Sequence, residues 1–95
     1  MIIAVDFDGT LMRSDKTVNV ELIADLIRRQ RNGATVILWT CRTGQSLFDA
    51  VRLCADYGLR FNYINENSAE TIKRMKYNPR KVLADVYIDD KAIRI

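Results

Sequence analysis

The stretch Ile2-Ile3-Ala4-Val5-Asp6-Phe7-Asp8-Gly9-Thr10 passes directly from an apolar run to two carboxylates, a glycine and a hydroxyl. The apolar residues barely alternate with polar ones, which indicates a strand that is buried on both faces, as in a parallel α/β sheet. The acids then lie at the carboxyl end of that strand. Because strand side chains point alternately to opposite faces, we expect Asp6 and Asp8 to leave the chain on the same side and to share one pocket.

Two carboxylates placed so close repel each other unless a cation or a shared proton separates them. The pair therefore indicates either a hard divalent metal or an acid and a base with different pKa values. Gly9 permits a sharp turn, and Thr10 adds a hydroxyl. Asp-Gly-Thr is also ordinary turn chemistry after a strand, so the rest of the chain has to decide between structure and catalysis.

The composition excludes several classes of protein. A chain of 95 residues with 48% hydrophobic and 28% charged residues predicts one globular domain over 1–95 rather than a disordered protein. Its apolar runs are too short to span a membrane and it begins with a strand instead of a signal peptide, which favours a cytoplasmic location. The chain contains no histidine, and this excludes Ser/His/Asp and Cys/His nucleophiles and most catalytic zinc sites.

Hydrophobic periodicity and capping residues predict alternating strands and helices. We expect strands over 2–5, 34–39, 59–64 and 82–88, and helices between Asn19 and Gly33, over about 45–57 and over 69–76, with Leu47, Phe48, Val51, Cys54 and Ala55 as the core stripe of the second helix. Strands that alternate with helices require a parallel sheet with right-handed crossovers. The fold class is therefore α/β, a doubly wound, Rossmann-like sheet of about four strands.

Ligands of such sheets bind outside the carboxyl ends of the strands, near the point where the winding reverses. Asp6, Asp8, Thr40 and Asp89 all lie on or just past those ends. Asp6, the carbonyl of Asp8, Asp89 and Asp90 offer only hard oxygen ligands, which suit Mg²⁺ bridging to a phosphate. Asp6 is then placed to attack phosphorus, Asp8 to move a proton, and Thr40 to donate a hydrogen bond to the phosphoryl group.

The motif Asp6-Phe7-Asp8-Gly9-Thr10 resembles the first motif of the haloacid dehalogenase-like (HAD) phosphohydrolase superfamily. Thr40 after Val-Ile-Leu-Trp is similar to the second motif, and Asp89-Asp90 after Val-Tyr-Ile is similar to the fourth. The string 84–90 resembles the closing motif of the 5′(3′)-deoxyribonucleotidase branch and its small phage and bacterial relatives. The resemblance implies that Asp6 is the nucleophile, that Asp8 is the general acid and base, and that Asp6, Asp8 and Asp89, with Asp90 beside them, bind Mg²⁺.

The family also uses a lysine, for which Lys81 lies at the position that the nucleotidase branch suggests. Because Lys81 precedes the last strand, it reaches the site only if 78–83 folds back toward the acids, so Lys73 and Lys91 remain alternatives. Thr10, Cys41 and Arg42 are predicted to contact the substrate. Neither of the two cysteines, Cys41 and Cys54, is assigned a chemistry of its own. For Arg42 a salt bridge is an equal alternative. The run 65–67 is expected to cap a helix first and to contact substrate second.

These observations predict a Mg²⁺-dependent phosphomonoester hydrolase that acts through an aspartyl-phosphate on a small, nucleotide-like phosphate. The segments between the motifs are too short for a cap domain, which resembles the capless group of the family. Water must then be excluded from the site by the substrate or by a neighbouring subunit, so a homo-oligomer is one of the possible states of the protein. A phosphatase of polynucleotide ends, favoured by basic residues near Pro79 but not by a net charge of only +3, is the alternative. A non-catalytic domain that binds nucleic acid or protein is a further one.

Overall fold

The structure is a computed structural model that describes residues 1–78, 82–89 and 93–94. Its elements are β1 Ile2–Val5, α1 Val20–Arg31, β2 Thr35–Leu38, α2 Gly44–Asp56, β3 Tyr63–Ile64, α3 Ala69–Met75, β4 Val86–Ile88 and β5 Ile93–Arg94. Within the described chain, no helix has the length and apolar composition that crossing a membrane requires.

The strands form one sheet in the order β3-β2-β1-β4-β5. β1 pairs in parallel with β2 and with β4, and β2 pairs in parallel with β3. The chain winds from β1 to one side and then crosses over to β4 on the other, so the winding reverses beside β1. The four parallel strands confirm the predicted fold class. β5, which runs antiparallel to β4, was not predicted.

One face of the sheet carries the main core, which we call the helical face because α1 and α2 pack on it. Asn19 caps α1 by accepting a hydrogen bond from the Leu22 N–H at 3.2 Å. Gly33, in the left-handed region with φ of 98°, ends this helix as predicted. The buried core residues on this side are Ile3, Val5, Phe7, Leu11, Ile23, Leu26, Val36, Leu38, Ala50, Cys54 and Leu59.

The opposite face, which we call the open face, has a much smaller core. Its buried members are Ala4, Ile37 and Val82, with Tyr63 and Tyr87 packed beside them. Helix α3 begins on this side, where the Ala69 N–H donates to the Tyr63 hydroxyl at 3.0 Å. A seven-residue helix covers less of the sheet than α1 and α2 cover on the other side.

Three local predictions were wrong. Phe48 was expected in the core stripe of α2 but is 58% exposed, and Ala50 is buried instead because the buried stripe of the helix runs through Ala50 and Cys54. The last parallel strand begins at Val86 rather than at residue 82, because Val82 turns inward to fill the open face before the chain joins the sheet. The third strand is only Tyr63–Ile64.

Candidate functional site

Asp6 and Asp89 lie beside each other because of the register of two parallel strands. Val5 of β1 is opposite Ile88 of β4, so the residues that follow each strand, Asp6 and Asp89, lie at neighbouring positions. The Asp6 N–H donates to the Ile88 carbonyl at 2.9 Å, which continues the ladder one residue past the end of β1. Adjacent acids at the carboxyl ends of parallel strands are the arrangement that the sequence predicted.

A cavity of about 320 Å³ opens beside these two acids. Its lining residues are Ala4, Asp6, Trp39, Val82, Tyr87, Ile88 and Asp89. Trp39, which follows β2, is 42% exposed. The Tyr87 hydroxyl donates to the Val82 carbonyl at 2.6 Å and accepts from the Ala84 N–H at 3.1 Å. The hydroxyl is thus bonded to the chain next to the cavity, whose walls are largely apolar.

Asp8 is held differently from Asp6, although the strand pattern placed them in one pocket. Its carboxylate accepts two hydrogen bonds from Arg42, from Nε at 2.9 Å and from Nη2 at 2.8 Å. The side chain of Asp8 is 54% exposed, and Asp8 does not line the described cavity. The difference arises because β1 ends at Val5, so the alternation of a strand no longer fixes the direction of a side chain three residues later.

The Arg42 contact also sets the charge state of Asp8. Hydrogen bonding to Arg42, followed by the charges of Arg42 and Lys16, holds the pKa of the Asp8 carboxyl below its usual value. The same hydrogen bond raises the pKa of Arg42. A planar guanidinium that binds both oxygens of a carboxylate fixes its orientation as well as its charge. Asp8 is therefore held ionised and in one orientation.

Arg42 makes further contacts that fix its own position. Nη1 donates to the Ser46 carbonyl at 3.2 Å, in the first turn of α2. The guanidinium carbon lies 4.6 Å from the centroid of the Phe7 ring, and that ring is buried in the core. Arg42 thus connects the loop after β1 with the start of α2.

Thr40, the residue that resembles the second family motif, lies in the loop after β2. Its hydroxyl accepts a hydrogen bond from the Arg42 N–H at 3.2 Å, and its own N–H donates to Asn65 Oδ1 at 2.7 Å. Asn65 has a left-handed backbone with φ of 53°, a conformation that asparagine tolerates better than most residues. The side chain of Asn65 therefore positions the Thr40 loop. Cys41, between Thr40 and Arg42, is an exposed free thiol.

The loop from Gly9 to Val18 is compact and packs beside Asp8. Gly9, with φ of 80°, turns the chain so that its N–H donates to the Met12 carbonyl at 2.7 Å. Leu11 is buried in the core. Thr10 is 5% exposed, and its hydroxyl has no hydrogen-bond partner within the described structure. At this depth Thr10 supports the turn.

The donor set at the cavity fits Mg²⁺. Asp6 and Asp89 supply hard carboxylate oxygens, and Mg²⁺ in proteins is usually held by one or two carboxylates together with waters and substrate phosphate. In the parts of the chain that the structure describes, no three His, Cys, Asp or Glu side chains come together as a closed cluster.

The predicted phosphate-binding lysine cannot be placed here, because Lys81 and Lys91 lie outside the described residues, as does Asp90. Lys73 is exposed on α3 and does not line the described cavity. Lys16, in the loop beside Asp8, contributes a positive charge that sequence reasoning overlooked.

Sequence reasoning also missed Trp39 and the role of Asn65. Trp39 was assigned only to a strand, although its position directly before Thr40 already placed a large ring at a carboxyl strand end. Asn65 was expected to be a helix cap, but it bonds to the Thr40 loop instead. Only its position after β3, next to β2 in the sheet, hinted at that contact.

Comparisons with known proteins agree with this geometry. A family model described as haloacid dehalogenase-like hydrolase matches residues 3–94. Among solved structures, the chain is similar to a conserved protein from Bacteroides thetaiotaomicron, with 33% sequence identity and a TM-score of 0.80. That match covers 97% of this chain and 77% of the other. A comparison with curated proteins found no match. The range of the family match includes Asp6, Asp8, Thr40, Arg42 and Asp89.

Proposed function

The chain belongs to the haloacid dehalogenase-like hydrolase family, and from its site we infer that it is a Mg²⁺-dependent phosphomonoester hydrolase acting through an aspartyl-phosphate. The observation that carries this proposal is the pair Asp6 and Asp89, held at neighbouring strand ends and lining one cavity. When bound there, Mg²⁺ would neutralise the two carboxylates and polarise a phosphoryl oxygen. Every other step is assigned to side chains of this chain.

In the first step, a carboxylate oxygen of Asp6 attacks phosphorus and the bond from phosphorus to the ester oxygen breaks. The leaving oxygen takes a proton from the Asp8 carboxyl, which becomes a carboxylate. The Arg42 ion pair stabilises the ionised form of Asp8, so protonation has to occur against that contact. Esters whose leaving oxygen needs no proton are therefore expected to react fastest.

In the second step, water attacks the phosphorus of the aspartyl-phosphate while ionised Asp8 accepts a proton from it. The bond between phosphorus and the Asp6 oxygen breaks, orthophosphate leaves, and Asp8 is again protonated. The hydroxyl of Thr40, which already accepts from the Arg42 N–H, has its own proton left to donate to a phosphoryl oxygen. This step uses the charge state in which Arg42 holds Asp8.

The proposed substrate is a small phosphomonoester with a nucleotide-like leaving group. Support comes from the cavity, because about 320 Å³ with the Trp39 ring at its edge is enough for a small organic group but not for a duplex. The likeness of 84–90 to the deoxyribonucleotidase branch points the same way.

A free exposed thiol at Cys41 suits a reducing compartment, and we place the reaction in the cytoplasm.

The test is a comparison of three substrates with and without Mg²⁺: p-nitrophenyl phosphate, a deoxynucleoside 5′-monophosphate and a 5′-phosphorylated oligonucleotide. We expect Mg²⁺-dependent release of phosphate from the first two. A kcat/KM for the oligonucleotide that exceeds the mononucleotide by about tenfold, or ~1.4 kcal/mol, would favour the alternative of a polynucleotide-end phosphatase. Absence of turnover with all three esters would contradict the proposed function.

A further inference from the structure

The side chain of Arg42 was expected to bind substrate, but most of its donors are already used by the protein. Nε and Nη2 donate to Asp8, and Nη1 donates to the Ser46 carbonyl. One face of the guanidinium lies over the ring of Phe7. A substrate phosphate could compete for this group only by displacing Asp8 from a bidentate contact.

The backbone of Arg42 reaches the other side of the site. Its N–H donates to the Thr40 hydroxyl, so one residue contacts two groups to which the proposed mechanism assigns roles. Asp8 belongs to the loop after β1 and Thr40 to the loop after β2, and the two loops follow adjacent strands. Arg42 therefore determines how far apart and at what angle Asp8 and Thr40 are presented.

The surroundings make this connection stiff. The Phe7 ring beneath the guanidinium is 1% exposed, and the side chain of Arg42 is 27% exposed. Asn65 holds the Thr40 N–H from the far side at 2.7 Å. Proton transfer depends steeply on the placement of the acid. A guanidinium that lies on a buried ring and orients Asp8 is therefore suited to control the rate of the first step.

We propose that Arg42 is a positioning residue that orients the Asp8 carboxylate through its fork of donors, while its backbone N–H holds the Thr40 hydroxyl, and that it does not bind the transferring phosphate. This inference rests on the proposed function for Asp8. The proposal attributes the effect of Arg42 to the geometry of its contact and not to its charge alone. A lysine at this position would keep the positive charge but could not make the bidentate contact.

The kinetic test uses Arg42→Gln, Arg42→Lys, Asp8→Asn and the double variant of Arg42→Gln with Asp8→Asn. For the deoxynucleoside monophosphate, we expect Arg42→Gln to lower kcat/KM by about 100-fold, as a misplaced catalytic group does. For p-nitrophenyl phosphate, whose leaving oxygen needs little protonation, we expect a loss of only about fivefold or less. Arg42→Lys should not restore the kcat/KM for the deoxynucleoside monophosphate that Arg42→Gln loses.

Two further readouts separate positioning from binding. Inorganic phosphate should inhibit Arg42→Gln and the unaltered chain with the same inhibition constant. In the Asp8→Asn background, adding Arg42→Gln should change kcat/KM by about twofold at most, because two residues that act as a unit are not additive. Inhibition weakened about tenfold, or fully additive losses, would overturn the proposal in favour of a phosphate ligand.

Arg29→Gln is the matched control, since Arg29 Nε also donates to a carboxylate, Asp25 Oδ2 at 2.8 Å, but on α1. It should leave all kinetic constants unchanged. The contact itself is measured without turnover from the Arg42 Nε–H resonance in NMR spectra, which should move in Asp8→Asn. A resonance that does not move would overturn the proposal. If the unaltered chain hydrolyses neither ester, the proposed function fails, and the resonance still decides whether Arg42 holds Asp8.

Discussion

The helical face of the sheet is closed by a continuous apolar core against α1 and α2, whereas the open face is closed only in part and leaves the cavity beside Asp6 and Asp89. Because the side chains of a strand alternate, consecutive residues point to opposite faces of the sheet. Val5 and Leu38 point to the helical core, while Asp6 and Trp39, one residue later, line the cavity. The same strands therefore supply core side chains on one side and the candidate chemistry on the other.

This division teaches where each kind of substitution should act. On the helical face, changes should lower stability and leave the chemistry unaltered. On the open face, changes at the strand ends should alter chemistry with little loss of stability, because those carboxylates are partly exposed. Four tests, beginning with the largest expected effect, examine whether the faces are independent in this way.

Asp6→Asn should abolish turnover while leaving the fold intact. An amide is too weak a nucleophile to form the aspartyl-phosphate, and Asp6 lies at the open face, where the amide is accommodated next to the cavity. Rates of phosphate release and thermal unfolding would be measured together. Asp56→Asn, an exposed acid at the end of α2, is the matched control and should keep full activity. Substantial residual turnover in Asp6→Asn would mean that the nucleophile is another group.

Much of this arrangement follows from sequence alone, for a physical reason. Parallel pairing brings the carboxyl ends of adjacent strands to one edge, so acids after β1 and β4 have to be neighbours once the sheet order is known. The separate contact of Asp8 could not be predicted in the same way. It depends on where β1 ends and on the reach of Arg42 from a different loop, and neither is encoded in the alternation of a strand.

The open face was also predicted less well than the helical face. Val82 was expected within a strand, but it fills the open face before β4 begins, and Asn67 fixes that path by accepting from the Leu83 N–H at 2.6 Å. A buried asparagine that bonds to a segment sixteen residues away leaves no periodic signal in the sequence. The assignments of Lys81 and Asp90 fall outside the described residues and remain predictions.

Val36→Ala and Val82→Ala make the same chemical change on opposite faces, at residues that are 0% and 1% exposed. Val36 lies in the closed core, where we expect a loss of about 2–3 kcal/mol in the free energy of unfolding. Val82 borders the existing cavity, so fewer contacts are lost and we expect about 1 kcal/mol.

Urea unfolding at equilibrium measures both losses. Activity should be unchanged in Val36→Ala when the protein is assayed well below its unfolding midpoint. Equal losses of stability would contradict the claim that the two faces differ in packing.

Mg²⁺ should stabilise the chain through the open face alone. If the ion binds the folded site, a concentration 100 times its dissociation constant adds about 2.7 kcal/mol to the free energy of unfolding, provided the unfolded chain does not bind it. Because few protein ligands hold the ion, we expect millimolar Mg²⁺ to add only about 1 kcal/mol to the free energy of unfolding. The melting temperature would be recorded in a Mg²⁺ titration.

Asp89→Ala should abolish this response, whereas Asp85→Ala should keep it. Asp85 precedes β4 and accepts a hydrogen bond from the Ile2 N–H at 2.7 Å, at the opposite end of the sheet from the cavity. The two variants thus remove a carboxylate from either end of one strand. A response that survives in Asp89→Ala would place the ion elsewhere.

The last test concerns the two thiols, which report on the two regions separately. Cys41 is exposed in the Thr40 loop, and Cys54 is buried in the helical core. A thiol reagent should therefore label Cys41 in the folded protein and Cys54 only after unfolding. Burial raises the pKa of the Cys54 thiol from 9.0 to about 11, because the core does not solvate a thiolate.

Below pH 9.0 the Cys54 thiol is protonated in both the folded and the unfolded chain, so it contributes no pH dependence. Above that value the unfolded chain releases its proton first, and the free energy of unfolding falls by about 1.4 kcal/mol for each pH unit until the folded thiol also ionises. At pH 10 the loss is therefore about 1.4 kcal/mol. Urea unfolding at pH 8 and pH 10 should show this loss in Cys41→Ala and not in Cys54→Ala. If both variants lose stability equally between these pH values, other groups titrate and the helical core is not as closed to a charge as its packing indicates.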